Sequence, residues 1–275
     1  MGYIEVAKGV SIYVEDINPG GGMPVLFIHG WPVNQKMYEY QFNLLPNYGF
    51  RCIGMDLRGF GNSSRPWNGF SYNQLADDLR AVVDTLGLKS FILVGFSIGG
   101  AIAIRYLARH EGFGVTKLAL ISAAAPVFTK RTDYPFGFSK EEVNMLLYKT
   151  YTDRPKMLSE FGSMFFASPI TSEFAGWFQD LGLEASGHGT AMGLVALRDE
   201  DLRNDLPGVQ VPTGIFHGIL DRIVPFQSAL QLHKGITQSE LFPFEHSGHG
   251  VFYDELDRFN HTFLQFLLEN KVTVR

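Results

Sequence analysis

Short, nearly continuous apolar runs recur along this chain, and stretches of helical periodicity separate them. The runs fall at residues 25–29, 52–55, 91–96, 118–121 and 214–217, with a weaker one at 241–244. Runs of this length, bounded by turn residues, suit strands buried on both faces of a sheet. Helical periodicity marks residues 37–46, 71–86, 98–109, 226–233 and 252–269. In the second of these, Leu75, Leu79, Val82, Val83 and Leu86 line up as one apolar stripe. Strand alternating with helix predicts an α/β fold, a mostly parallel sheet flanked by helices. A hairpin built from residues 3–7 and 11–15 is expected ahead of it.

One segment breaks the alternation. No clear strand lies between Ala125-Pro126 and Pro212; helices are expected at 140–150, 154–166, 172–181 and 190–198. The segment reads as a helical insertion and not as a separate fold. An aromatic content of 14% excludes disorder. The formal charge of −5, with no basic cluster beyond Lys130-Arg131, makes nucleic acid and anionic membranes poor partners. Cys52 is the single cysteine, so no intramolecular disulfide and no thiol-rich metal site are expected. The first residues carry no basic region and no long apolar run, so no signal peptide is expected. No stretch reaches about 18 apolar residues. The expectation is a soluble, cytoplasmic protein.

Gly95-Phe96-Ser97-Ile98-Gly99 matches G-x-S-x-G. The string alone is weak, and Ser97 could simply cap a helix after a glycine turn. Its setting is stronger: an apolar strand precedes the serine and a helix follows, as a nucleophile elbow requires. A serine hydroxyl needs a base, and the base needs an orienting carboxylate, in the chain order Ser, acid, His. Of eight histidines, His110 and His233 end helices, His261 lies within the last helix, and His217 sits inside a strand. His29 precedes the serine, and His188 lies in the insertion. His246 and His249 share the loop after the last strand; His249, between Gly248 and Gly250, is the better base, with His246 as alternative. Asp221 follows the 214–217 run and is the expected acid; Asp199, Asp201 and Asp205 are rivals placed before that strand.

With these residues in hand, the chain resembles the α/β-hydrolase superfamily over nearly its whole length. Five ordered blocks carry the resemblance: His29-Gly30-Trp31-Pro32, the block 56–63 beginning Asp56-Leu57-Arg58-Gly59, the serine motif, Gly218-Ile219-Leu220-Asp221, and Ser247-Gly248-His249. Within the superfamily it looks most like the cofactor-free, non-haem haloperoxidase and aryl esterase group. The resemblance implies Ser97 as nucleophile, His249 as base and Asp221 as its partner. It implies an oxyanion hole from the backbone N–H groups of Trp31 and Ile98, and a structural role for His29 and the 56–63 block. Arg58 touching substrate is the lesser alternative. A serine nucleophile sets the chain apart from the aspartate-dependent dehalogenases and epoxide hydrolases of this fold.

The resemblance also makes the insertion a cap between the sixth and seventh strands. Residues 127–205 would be the cap, with 1–126 and 206–275 as the hydrolase core. The cap is rich in aromatic residues, and Phe128, Phe165, Phe166 and Trp177 are candidate pocket residues. Because Phe165 and Phe166 are adjacent, one narrow helix face cannot bury both, and one is expected to face the pocket. The implied activity is hydrolysis of small to medium apolar carboxylic esters through an acyl-enzyme. Pro32 in the oxyanion loop adds an implied perhydrolase side activity. Lactam, amide or C–C bond hydrolysis with the same triad, or a receptor-like fold that binds a small molecule with little turnover, are the alternatives. No cofactor and no metal are expected. Whether the protein is a monomer or a homo-oligomer stays open.

Overall fold

The computed structural model describes residues 2–269. Its strands are β1 (Gly2–Ala7), β2 (Val10–Ile17), β3 (Pro24–Ile28), β4 (Arg51–Met55), β5 (Phe91–Phe96), β6 (Val115–Ile121), β7 (Thr213–Gly218) and β8 (Ser239–Phe244). They form one sheet in the order β1-β2-β4-β3-β5-β6-β7-β8. β1 and β2 form the expected hairpin, β2 pairs antiparallel with β4, and the remaining neighbours are parallel.

That order has a functional consequence. From β3 the chain crosses to β4 on one side, then returns to β5 on the other. Such a switch point leaves a crevice beyond the carboxyl ends of the two strands, where α/β sheets bind ligands. The register brings those ends level: Ile28 pairs with Gly95, Phe96 with Ile121, Ile121 with Phe216, and Gly218 with Phe244.

The helices are α1 (Glu39–Leu44), α2 (Tyr72–Thr85), α3 (Ile98–Arg109), α4 (Lys140–Thr152), α5 (Arg154–Gly162), α6 (Ser172–Leu183), α7 (Gly187–Asp199), α8 (Phe226–Gly235), α9 (Val251–Asp254) and α10 (Leu256–Leu268). Ser71 Oγ caps α2 by accepting from Gln74 N at 3.3 Å, and Leu75, Leu79, Val82 and Val83 are buried as the stripe predicts. On the face of Phe27, the rings of Tyr38, Phe42 and Phe263 lie 4.9, 5.0 and 6.5 Å away. Each such phenylalanine contributes about 1.5–3 kcal/mol by burial, so this stack anchors α1 and α10 to the sheet. Helices α4 to α7 stand between β6 and β7, where the insertion is expected.

Three predicted helices differ. The one expected at 37–46 is a 3-10 turn, Gln35–Tyr38, then α1, then a second 3-10 turn, Leu45–Tyr48. Asn34 caps the first turn through Lys36 N, and Pro46, lacking an N–H, opens the second. The helix expected at 154–166 stops at Gly162, where glycine weakens the helix and Ser163 Oγ turns back to Glu160 O at 2.7 Å. The helix expected at 252–269 is broken at Glu255 into α9 and α10.

Candidate active site

Ser97 follows the fully buried β5 and precedes α3 with φ 53° and ψ −119°. A non-glycine residue held there costs about 1–3 kcal/mol and persists only where its surroundings enforce it. They do so here. Ser97 N donates to Ile121 O at 3.0 Å, and Ser97 O accepts from Gly100 N at 3.0 Å and Ala124 N at 2.9 Å. Ser97 is therefore not the simple helix cap that the bare motif allowed; its side chain makes no capping bond. Gly99 shows why the motif needs glycine. A Cβ there would sit 2.3 Å from Ile28 O and 2.6 Å from His29 O, so α3 starts directly against the end of β3.

That contact puts the loop after β3 beside the serine. A Cβ on Gly30 would lie 3.1 Å from the Ser97 Cβ. Ile98 is the first residue of α3, so its N–H has no acceptor within the helix. Trp31 is fixed from its side chain: the indole Nε1 donates to Thr190 O at 2.9 Å and the ring lies 4.8 Å from Phe161. His29 braces the same loop. Its Nδ1 lies 2.8 Å from Gly30 O, and its Nε2 accepts from Leu57 N at 2.9 Å. Since Leu57 N–H can only donate, the ring is the neutral tautomer with the proton on Nδ1. Burial pushes the imidazole down to about 4, against the opposing Gly30 bond.

Asp221 follows β7 and His249 follows β8. His249 Nδ1 lies 2.8 Å from Asp221 Oδ2, with both side chains buried. Asp221 Oδ1 accepts from Ile223 N and Val224 N, each at 2.8 Å. His217, dismissed on sequence as a strand residue, also reaches this carboxylate: its Nε2 lies 2.8 Å from Val224 O and 3.3 Å from Asp221 Oδ2. Burial works to raise the Asp221 carboxyl. The field of His249 and the hydrogen bonds of His217 and His249 override it and hold the group well below the usual carboxylate range. The ring of His249 packs 4.8 Å from that of Phe96, the residue before Ser97. Its Nε2 is buried and has no hydrogen-bond partner among the described residues. Catalytic bonds to a serine are commonly long in unliganded sites.

The rivals lie elsewhere. His246 is exposed. Asp199, Asp201 and Asp205 pair with Arg198, Arg203 and Arg105. Arg58 is buried in a two-pronged ion pair with Asp78, both contacts 2.6 Å, its Nη1 donates to Asn68 O at 3.2 Å, and it does not line the cavity under the insertion.

A cavity of about 240 Å³ lies under the insertion. Pro32 and Val33 line it from the sheet side, and Leu158, Phe161, Phe165, Phe166, Ile170 and Phe178 from the insertion; no charged side chain reaches it. Of the four predicted pocket residues, Phe165 and Phe166 line this cavity. Because α5 ends at Gly162, both rings escape the single-face constraint, and both are buried and line the cavity. Phe128 and Trp177 do not line it. Phe128 stacks on Phe138 at 5.3 Å, and Trp177 borders a surface groove with Tyr40, Phe174 and Tyr253. Phe161 and Phe178 take their places. Phe165 links cavity and base, its ring 5.0 Å from His249.

Gly248 and Gly250 have a different role from the one their positions suggest. Neither has a positive φ. A Cβ on Gly248 would lie 2.9 Å from Phe165 O, and one on Gly250 would lie 2.2 Å from the Phe166 ring. The glycines let the insertion lie directly against the His249 loop. Among the described residues no group of three or more His, Cys, Asp or Glu could hold a metal ion, and no helix is long and apolar enough to cross a membrane.

A mostly parallel eight-stranded sheet, with a strained serine elbow after one strand and an aspartate–histidine pair after two others, defines an α/β hydrolase. The chain belongs to that family: residues 23–256 match the family model for the alpha/beta hydrolase fold. It is 53% identical to the AB hydrolase superfamily protein YisY of Bacillus subtilis, over 96% of this chain and 98% of that one. Among solved structures it resembles an esterase from Exiguobacterium antarcticum, with 46% identity, TM-score 0.95 and coverage of 98% and 100%. It also resembles a bromoperoxidase from Bacillus anthracis, with 32% identity, TM-score 0.93 and coverage of 98% and 99%. These place it in the haloperoxidase and esterase group and make it a hydrolase.

Proposed function

We propose that the protein is a serine hydrolase that cleaves small to medium apolar carboxylic esters through an acyl-enzyme. The observation that carries this reading is the His249–Asp221 pair, packed on Phe96 with one ring nitrogen left over for Ser97. Ser97 Oγ attacks the ester carbonyl while His249 Nε2 takes its proton. The backbone N–H groups of Trp31 and Ile98 receive the developing oxyanion, a contribution of about 3 kcal/mol for each well-placed donor. His249 then returns the proton to the leaving alcohol. Water, deprotonated by the same nitrogen, releases the acid. Asp221 keeps the proton on Nδ1 and balances the charge that forms on the ring.

The uncharged cavity supports an apolar substrate portion. Pro32 lines that cavity, which keeps perhydrolysis, the transfer of the acyl group to peroxide, in view as a side activity.

A panel of p-nitrophenyl esters from C2 to C12, with a bicyclic γ-lactam and with acetate plus peroxide, tests the reading. Esters should turn over fastest, and a fluorophosphonate probe should label Ser97. Full hydrolysis by Ser97→Ala would sink the proposal. Very slow turnover on every substrate, with one small ligand raising Tm, would point to a receptor-like role.

A further inference from the structure

Asp254 ends α9, five residues after His249, and its carboxylate is turned toward the preceding loop and the insertion. Oδ2 accepts from Gly248 N at 2.7 Å and from Ala167 N at 2.9 Å, and Oδ1 accepts from Ser168 N at 3.0 Å. One donor thus belongs to the His249 loop and two belong to the insertion, more than 80 residues away in sequence. No Lys or Arg among the described residues pairs with this carboxylate, and it does not cap α10. A second bond runs parallel to it, Gly250 N to Phe165 O at 2.8 Å. The next residue, Glu255, holds the His249 side without reaching the insertion: its Oε2 accepts from His246 N at 3.0 Å and from Ser247 Oγ at 2.7 Å, and its Oε1 pairs with Arg258 at 2.8 Å. The break between α9 and α10 is what turns these two adjacent acids toward the loop.

We propose that Asp254 is a positioning residue that ties segment 165–168 of the insertion to the His249 loop. Seating an acyl chain against Phe165 and Phe166 and placing the base are then coupled. The inference rests on the serine-hydrolase reading for its kinetic consequence, though not for its structural one. A carboxylate that gathers three amides from two segments holds them in one arrangement, and charge-assisted bonds of this kind are the strong ones. A long acyl chain packs along both Phe165 and Phe166 and so bears on Gly248, beside the base, whereas an acetyl group meets at most the Phe165 edge next to His249.

Two variants, Asp254→Asn and Asp254→Ala, test this in the full chain. Amide hydrogen exchange is followed at Gly248, Ala167 and Ser168, with Leu93 and Val94 of β5 as internal reference. The alanine variant should lose about tenfold protection or more at the three amides and none at β5. Its kcat/KM for p-nitrophenyl octanoate relative to acetate should move by about threefold or more. Asparagine, which keeps one acceptor oxygen, should fall between alanine and wild type in both. Unchanged protection at the three amides, or an unchanged octanoate-to-acetate ratio, overturns the proposal. Equal loss on both esters that follows Tm also overturns it, because that marks a purely structural residue. If Ser97→Ala keeps full activity, the hydrolase reading fails, and the exchange data still decide whether the tie exists.

Discussion

Asp221 Oδ2 lies 2.8 Å from His249 Nδ1, and its other oxygen is fully occupied by the amides of Ile223 and Val224. This division of labour makes Asp221→Asn informative. Asparagine can keep its oxygen toward the two amides and so preserve the turn. Its NH2 group then faces His249 and forces the proton onto the wrong ring nitrogen. We expect kcat to fall by about 10⁴-fold, as tautomer disruption does in serine triads, with Tm lowered only by what the lost His217 contact to the same oxygen costs. Steady-state kinetics and a thermal melt check both halves; a large drop in Tm would show that the amide contacts, not the tautomer, dominate.

The contact between α3 and β3 makes Gly99→Ala a second probe. The new methyl would meet two backbone oxygens, Ile28 O and His29 O, inside 3 Å. Neither can rotate away, so the end of β3 must shift. We expect a loss of about 1–3 kcal/mol, the usual cost of overpacking. Since the shift separates the Trp31 loop from Ile98, kcat should fall while KM changes less. Urea unfolding and kcat/KM on p-nitrophenyl acetate measure the two effects. Wild-type kcat in the destabilised variant would argue against an oxyanion role for this junction.

His29 gives a pH prediction whose sign can be worked out. Its folded value is about 4, against an ordinary imidazole near 6.5. Between those values the unfolded chain binds the proton and the folded chain does not, so stability is lost as pH falls through that window. The loss amounts to about 3 kcal/mol. Asp56 works against it: burial lifts its carboxyl to about 6, opposed by bonds from Asn62 N and Gln35 N, so the folded chain gains stability over part of the same interval. The two are separated by His29→Gln, which cannot titrate. The gap in unfolding free energy between wild type and variant should shrink steadily from pH 7 to pH 4.5. A gap independent of pH would mean that His29 takes up its proton as readily in the native loop as in the unfolded chain.

The sites most readable in the sequence are those where an apolar run ends. Ser97, Asp221 and His249 each follow a strand, and strands of a parallel sheet deliver their ends to one rim, so chain order alone brings them together. His217 was not readable in this way. It is four residues from Asp221, yet only the turn after β7 folds the acid back onto it. The cavity lining is less readable for a related reason. The helices of the insertion carry aromatic residues on several faces, so their pattern does not say which face meets the sheet. Phe161 and Phe178 line the cavity while Trp177 does not, a choice made by packing between helices, and Phe128 lies ahead of α4, stacked on Phe138. Asp254 is invisible for another reason: in sequence it is an ordinary acid in the first turns of a helix.

Arg58 supplies the last prediction, because its neighbours leave it one role. The guanidinium is buried against Asp78, and its Nη1 donates to Asn68 O at 3.2 Å. Asp78 shows the balance. Burial raises its carboxyl, and the Arg58 hydrogen bond and charge pull it back only in part. Arg58→Ala removes the compensation and leaves a buried carboxylate, which costs about 3–5 kcal/mol. Protonation of Asp78 relieves that cost, so the deficit against wild type should narrow as pH falls toward 5. Activity per folded molecule should stay within about threefold of wild type, since the side chain reaches neither Ser97 nor the cavity. Urea unfolding at pH 7.5 and 5 and active-site titration of the folded fraction measure these quantities. A specific loss of kcat/KM in fully folded variant would instead restore Arg58 as a substrate contact.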